Sequence, residues 1–345
     1  MSAYKTLLLP LLFSLDPEEA HNLGQRLLPA CEGLMGVLKC AYELTGPMAA
    51  NLTTELCGHS LKNPIGLAAG FDKNGKLVNS LAALGFGFIE VGSVTARPCA
   101  GNPRPRLFRL PQDRALINRL GLNGEGAQAV YERLKRQDFA LPVALNIAKS
   151  NYPDVVMDKA AEDIAFSFNT LKDLPFAYVT INTSCPNTHD GALFGSQELT
   201  LILKSVTSLN TKGLPLFLKL SPDSPPAFIE SLLELARQYQ INGFVLGNTT
   251  VSREALVSAP DKVAAIGAGG LSGAPLLPGT KAQVKAIAKA KQPWQQIIAC
   301  GGISEAADIK ELLQSGASAV QLYTALVYEG PTLILSLLRA LSRLN

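Results

Sequence analysis

From about residue 64 onward the chain keeps one rhythm. A short, mainly apolar run is followed by a longer stretch with apolar residues at helical spacing, and the pair recurs eight times. The runs are residues 65–69, 88–91, 143–147, 178–181, 216–220, 244–246, 297–299 and 319–322. The stretches between them predict helices near 75–84, 124–136, 155–171, 197–210, 225–240, 281–291, 304–314 and 329–343. Strands with no polar face are stable only when both faces are covered, which is the condition of a parallel sheet wrapped in helices. Eight such units favour a closed (β/α)8 TIM barrel over an open doubly wound sheet. The chain of 345 residues is long enough for one barrel of about 250 residues plus an appendage. No low-complexity linker divides it, so the expected domains are a helical extension over 1–50 and a barrel over 51–345.

The extension opens a helix by rule: Asp16 can cap, Pro17 suits the first position, and Glu18 and Glu19 favour the first turn. Ala20, Leu23, Leu27 and Leu28 then share a face, and Leu34, Val37, Leu38, Ala41 and Tyr42 repeat the spacing. Periodicity alone admits two readings, a helical pair packed on the barrel or an amphipathic pair dipping into a membrane interface. Leu7–Phe13, broken by Pro10, is too short to span a bilayer, and no cleavage site for a signal peptide follows it. Charged residues make up only 17% of the chain against the usual quarter or so, which leaves apolar surface to account for. A net charge of +3 without a basic run argues against a nucleic-acid partner. The six cysteines form no C-x-x-C pair and the three histidines lie far apart, so neither a disulfide framework nor a metal site is expected. Free thiols suit a reducing, cytoplasmic compartment.

In such a barrel the chemistry belongs at the carboxyl ends of the strands. The first is followed by Ala68-Ala69-Gly70-Phe71-Asp72-Lys73, small residues that admit a flat ligand and then a cation. Asn146 and Lys149 follow the third, and Asn182, Cys185 and Asn187 the fourth. Lys219 ends the fifth, and Asn248-Thr249-Thr250 follows the sixth. An amide offers both a donor and an acceptor, which matches the imide edge of a flavin or a pyrimidine. Gly301-Gly302 and Tyr323-Thr324 follow the last two strands, where this fold holds phosphate, and Gly269–Gly273 reads as a third glycine-rich loop. Cys185 is either a buried inert thiol or, with its pKa lowered, an acid–base group.

At these residues the chain resembles the class 2, quinone-linked dihydroorotate dehydrogenases. The resemblance runs through Leu15–Glu18, the AAGFDKNG turn, GSVTARPCAGNPRPRLFRL, INRLG, NTSCPNT, LKLSPD, NTT, GGLSG and ACGGI. It implies oxidation of (S)-dihydroorotate to orotate in pyrimidine biosynthesis, with FMN taking the hydride and a membrane quinone taking the electrons. By position Cys185 matches the base. Lys73, Asn118, Asn182, Asn187, Asn248 and Thr249 match the orotate contacts, with Arg119, Leu120, Gly121 and Leu122 the backbone beside them. Ala69, Gly70, Phe71, Asp72, Lys73, Ser93, Asn146, Asn182, Lys219, Gly247, Gly273, Gly302, Tyr323 and Thr324 match flavin positions. His21 and Arg97 match the mouth of the quinone channel. A monomer attached peripherally to the cytoplasmic face of the inner membrane is expected.

The chain departs from the family pattern in places. Class 2 enzymes usually carry serine where this chain has Cys185, a residue typical of the soluble class 1. Residues 189–195 read HDGALFG where a PGLR-type run is usual, Ala274 replaces an arginine, and Ala148 and Ser150 flank Lys149 in place of glycine and asparagine. Asn123-Gly124 shortens an amide cluster. These changes keep open a divergent flavin reductase acting on another dihydropyrimidine with a soluble electron partner, and a flavin-binding scaffold without turnover. Orotate binding and flavin reduction separate the three.

Overall fold

The computed structural model describes residues 4–45, 52–183 and 195–344. A hairpin, β1 (Thr54–Leu56) and β2 (His59–Leu61), leads into β3 (Ile65–Leu67) and β4 (Phe88–Val94). An excursion then forms β5 (Leu107–Leu110) and β6 (Ala115–Asn118). The chain continues through β7 (Val143–Ile147), β8 (Val179–Asn182), β9 (Leu216–Leu220) and β10 (Gly243–Leu246). It ends with β11 (Gly270–Gly273), β12 (Gln296–Cys300) and β13 (Ala319–Leu322). Strands β3, β4, β7, β8, β9, β10, β12 and β13 pair in parallel, in that order, and close on themselves as a (β/α)8 barrel. Every apolar run of the sequence is one of these strands.

Two separate cores explain why the strands carry no polar face. Inside the barrel, Phe88, Ala144, Tyr178, Phe217, Val245, Ile298 and Ala319 pack together, floored by Leu56 and Leu61 of the hairpin. Outside it, the helices bury the other face. They are α4 (Val78–Ala82), α5 (Ala127–Leu134), α6 (Asp158–Leu171), α7 (Ser196–Leu209), α8 (Pro226–Gln238), α10 (Leu277–Ala290), α11 (Ala306–Gln314) and α13 (Leu333–Leu344), with short α9 (Pro260–Ile266) and α12 (Thr324–Glu329) between them. Each large side chain sealed this way contributes about 1.5–3 kcal/mol. Gly66 shows how full the interior is: a Cβ there would stand 2.3 Å from the Phe88 ring.

The reading of Gly269–Gly273 as a glycine-rich loop is corrected. Gly270–Gly273 is strand β11, antiparallel to β6, which in turn pairs with β5. This three-stranded sheet stands at the carboxyl ends of the barrel strands and supplies Leu107, Leu116, Ser272 and Gly273 to the cavity there.

The extension is helical, with α1 (Leu9–Ser14), α2 (Pro17–Leu27) and α3 (Glu32–Thr45). The Asp16 carboxylate accepts from the backbone N–H of Glu18 and Glu19, the cap its sequence announces. Helix α2 is fastened to the barrel by a buried ion pair. Glu18 Oε1 and Oε2 accept from Arg106 Nε at 3.2 and 3.0 Å, and Arg104 Nη2 donates to Oε1 at 3.1 Å. Hydrogen bonds from Arg106 hold the Glu18 carboxyl below the usual carboxylate range. A depressed folded-state pKa means stability that is present above the unfolded carboxyl pKa and lost as pH falls through the folded one. Glu18→Gln leaves Arg106 buried without its counter-charge, so we expect a loss of about 3 kcal/mol. A denaturant melt checks the magnitude, and release of α2 to limited proteolysis before the barrel unfolds checks the location.

Candidate active site

One cavity opens where the barrel strands end, roofed by the three-stranded sheet. Its floor is Ala68, Ala69 and Gly70 from the end of β3, with Ser93 from β4. One wall carries Lys73, Asn118, Leu120, Gly121 and Leu122. The lining also includes Asn182, Lys219, Asn248 and Thr249. Gly273, Gly302, Tyr323 and Thr324 close the far end. Sixteen of the residues matched to substrate or flavin positions therefore meet in one space, although they span most of the chain.

The side chains are organised rather than merely adjacent. Lys73 Nζ donates to Asn123 Oδ1 at 2.6 Å, which holds the ammonium at the cavity wall. The pairing of β8 with β9 sets Asn182 opposite Lys219, and Lys219 is buried. Asn248 Nδ2 donates to Asn182 Oδ1 at 3.2 Å, Asn182 Nδ2 donates to Ser93 Oγ at 3.3 Å, and Ser93 Oγ donates to Asn146 Oδ1. Asn146 thus reaches the cavity through Ser93 instead of lining it. At the far end the Ser272 and Thr324 hydroxyls lie 2.9 Å apart.

Other predicted residues serve from behind. Phe71 packs its ring on Tyr323, with centroids 5.7 Å apart. Asp72 is buried and accepts from the N–H of Lys76 and Leu77 at 2.9 and 2.7 Å, which shapes the turn that presents Lys73. Burial raises its carboxyl pKa, and those backbone donors oppose the rise. At Gly247 a Cβ would stand 1.5 Å from the Cys300 carbonyl oxygen, so the close approach of β10 to β12 alone requires glycine there. The Arg119 side chain turns to the Ile266 and Ala268 carbonyls, at 2.6 and 2.8 Å, and lies over Phe108. Arg119 itself does not line the cavity, while Asn118 and Leu120 on either side of it do. Cys185 and Asn187 lie outside the described residues.

The two residues matched to a channel mouth have different neighbours. His21 packs edge-on against Phe71 at 5.2 Å, and burial lowers its pKa to about 4, with Lys73 adding to the effect. It is neutral at pH 7. The Arg97 guanidinium pairs with Asp154 at 3.0 Å and lies over Tyr152. It is Arg109 that reaches the extension, donating to the carbonyls of Phe13 and Leu15 at 3.3 and 2.9 Å. A second cavity, lined by Lys5, Leu9, Pro10, Phe13, Pro111, Arg114 and Tyr328, shares Arg114 and Tyr328 with the first. Sequence reasoning missed Arg109, Arg114 and Tyr328. The available signal for the two arginines was the pair of short, mainly apolar runs LFRL and ALIN on either side of the Pro111–Arg114 turn, which marks a hairpin.

A flat heterocycle with a phosphate tail fits these residues. Gly70 has φ +103°, a conformation that glycine adopts readily and other residues rarely do, so the chain turns at the cavity floor without a side chain. Gln321 Oε1 is buried beside the cavity with no hydrogen-bond partner among the described residues, an acceptor left for a ligand donor. Among the described residues no cluster suits a metal ion.

The family model for dihydroorotate dehydrogenase matches residues 51–344. A dihydroorotate dehydrogenase (quinone) from Natronomonas pharaonis is 41% identical over 340 residues, covering 98% of this chain and 94% of its own. One from Thermosynechococcus vestitus is 42% identical, covering 98% and 96%. Among solved structures, the ligand-free Eimeria tenella enzyme superposes with a TM-score of 0.81 at 29% identity and covers 94% of each chain. The same enzyme bound to ferulenol gives 0.78 at 30% identity, covering 95% of this chain and 90% of that one. With the match spanning the barrel, its cavity and the helical extension alike, this chain belongs to the dihydroorotate dehydrogenase family.

Proposed function

We propose that the chain oxidises (S)-dihydroorotate to orotate with FMN as hydride acceptor and passes the electrons to a membrane quinone, a step of pyrimidine biosynthesis. The observation that carries this reading is the convergence of two lysines, Lys73 and Lys219, and a hydrogen-bonded row of amides on a cavity with a glycine-lined far end. FMN, when bound, supplies the two-electron acceptor that amino-acid side chains lack. Gly273, Gly302, Tyr323 and Thr324 would hold its phosphate. Ala69, Gly70, Ser93, Asn182 and Lys219 would hold its ring, with Asn146 acting through Ser93.

The chain's own residues do the rest. Dihydroorotate is an anion, and Lys73 pairs with its carboxylate while Asn118, Asn182, Asn187, Asn248 and Thr249 satisfy its polar edges. Cys185 takes the proton from the ring carbon beside a carbonyl, and the neighbouring carbon gives up hydride. Hydrogen-bond donors along the amide row stabilise the charge that develops on that carbonyl. Apolar walls such as Leu116, Leu120 and Leu122 exclude water and strengthen each of these contacts.

The extension suits quinone access. Leu7, Leu11, Leu34 and Val37 are 66%, 66%, 64% and 65% exposed, with Leu8, Leu15, Leu23 and Leu27 also exposed. Among the described residues no helix is long and apolar enough to cross a membrane. An apolar surface on short helices is the pattern of a protein that lies on a bilayer, and the second cavity gives a quinone ring a path inward. We place the protein as a monomer on the cytoplasmic face of the inner membrane.

Anaerobic addition of dihydroorotate to the purified yellow protein tests the reading. Flavin absorbance should bleach, and an added quinone should restore it. Bound flavin that dihydroorotate leaves unbleached would sink the proposal.

A further inference from the structure

The amide row has a direction, and a buried carboxylate outside the cavity sets it. Beyond Asn146 the row continues to Glu90, which is fully buried in β4: Asn146 Nδ2 donates to Glu90 Oε1 at 2.7 Å. At the other end the backbone N–H of Thr249 donates to Asn248 Oδ1 at 3.0 Å. From Thr249 through Asn248, Asn182, Ser93 and Asn146 to Glu90, every donor points the same way. A backbone N–H can only donate and a carboxylate can only accept, so the two ends allow one orientation for each amide between them. Reversing any one would set N–H against N–H or oxygen against oxygen.

Glu90 is kept an acceptor by its own surroundings. Its second oxygen takes the Tyr178 hydroxyl at 3.0 Å and Gln321 Nε2 at 2.6 Å. Burial first, and then Glu90 itself, push the Tyr178 phenol well above its ordinary pKa, so that hydroxyl keeps its proton and donates it. Three donors thus converge on one carboxylate at the centre of the barrel. None of the three donor groups belongs to the same strand as Glu90.

We propose that Glu90 is a positioning residue that orients the Asn146–Ser93–Asn182–Asn248 relay, and so decides which faces of those side chains the ligands meet. This rests on the dihydroorotate reading above. A carboxylate makes the direction single-valued. An amide in its place leaves the direction held by the Thr249 N–H alone, so the Glu90 end of the relay can reverse and the ligand must then select one orientation at a cost in affinity.

The test is orotate titration of the oxidised holoenzyme, followed by the flavin spectrum at matched FMN occupancy. Glu90→Gln should bind orotate about tenfold more weakly, the cost of one misdirected buried hydrogen bond. The double variant Glu90→Gln/Asn146→Asp transposes carboxylate and amide and still offers the Ser93 hydroxyl an acceptor, so it should recover most of the loss. Tyr178→Phe removes a donor from the oxygen outside the relay. It should melt earlier yet bind orotate within about twofold of wild type. Affinity near wild type in Glu90→Gln, an equal loss in Tyr178→Phe, or no recovery in the double variant would each overturn the proposal. Should Glu90→Gln fail to fold, Asn146→Asp takes its place. That change faces two carboxylates and should lose orotate, and the double variant should regain it. Wild-type holoenzyme that holds FMN but takes no orotate overturns the dihydroorotate reading itself, a result separate from any difference among variants.

Discussion

Lys73→Ala should lower kcat/KM for dihydroorotate by about a thousandfold, near 4 kcal/mol of transition-state stabilisation. The side chain is a cation in a largely apolar cavity, and its ligand is an anion. A charge-assisted contact there is worth more than at the surface because little water screens it. Its removal also strands the substrate carboxylate in a poorly solvating pocket. The barrel should stay intact, because Lys73 contributes to the cavity wall and not to either hydrophobic core. Most of the loss should fall on binding, seen as a raised KM and weakened orotate affinity, with FMN still held. Unchanged orotate affinity in Lys73→Ala would mean that another group receives the carboxylate.

Cys185→Ala should slow flavin reduction by dihydroorotate by about three to four orders of magnitude, the upper range for loss of a positioned base. Orotate should still bind, since Lys73 and the amides remain. Stopped-flow bleaching separates the two effects. Cys185→Ser distinguishes the base more finely. A thiol ionises near pH 8.5 unperturbed, far below an alcohol. The wild-type rate should therefore reach its plateau at lower pH than the serine variant's. Superimposable pH–rate profiles would remove the thiol's ionisation from the rate-determining step, and bleaching that survives in Cys185→Ala would reassign the base.

The barrel was legible because its strands are buried on both faces. Val143–Ile147 and Leu216–Leu220 read as apolar runs broken only by Asn146 and Lys219, and a closed parallel sheet is the architecture that uses eight of them. Lys73, Asn182, Lys219 and Asn248 were legible as candidates for a related reason: this fold places its chemistry at strand ends, so position along the rhythm is already position in the site. The Asp16 cap was legible because it is local.

Features that depend on distant pairing were not legible. Gly270–Gly273 looks like a loop by composition, and it is a strand only because Ala115–Asn118 offers it a partner from another part of the chain. Arg119 sits beside cavity residues in sequence, yet its side chain leaves for the carbonyls of Ile266 and Ala268 at the end of α9. Arg97 and Arg109 are both arginines in one loop-rich stretch, and only the folded chain shows that Arg109 meets the extension. Glu90 lies inside an apolar run, where its partners Asn146, Tyr178 and Gln321 come from three other segments.

The amino-acid order by itself therefore determined the barrel and the strand ends that carry the chemistry, because both follow from periodicity and local backbone preference. The tertiary structure alone decided which side chains share a cavity wall, which turn away, and which way the buried amides point. Those outcomes depend on hydrogen bonds between residues far apart in the chain, whose geometry no local pattern encodes.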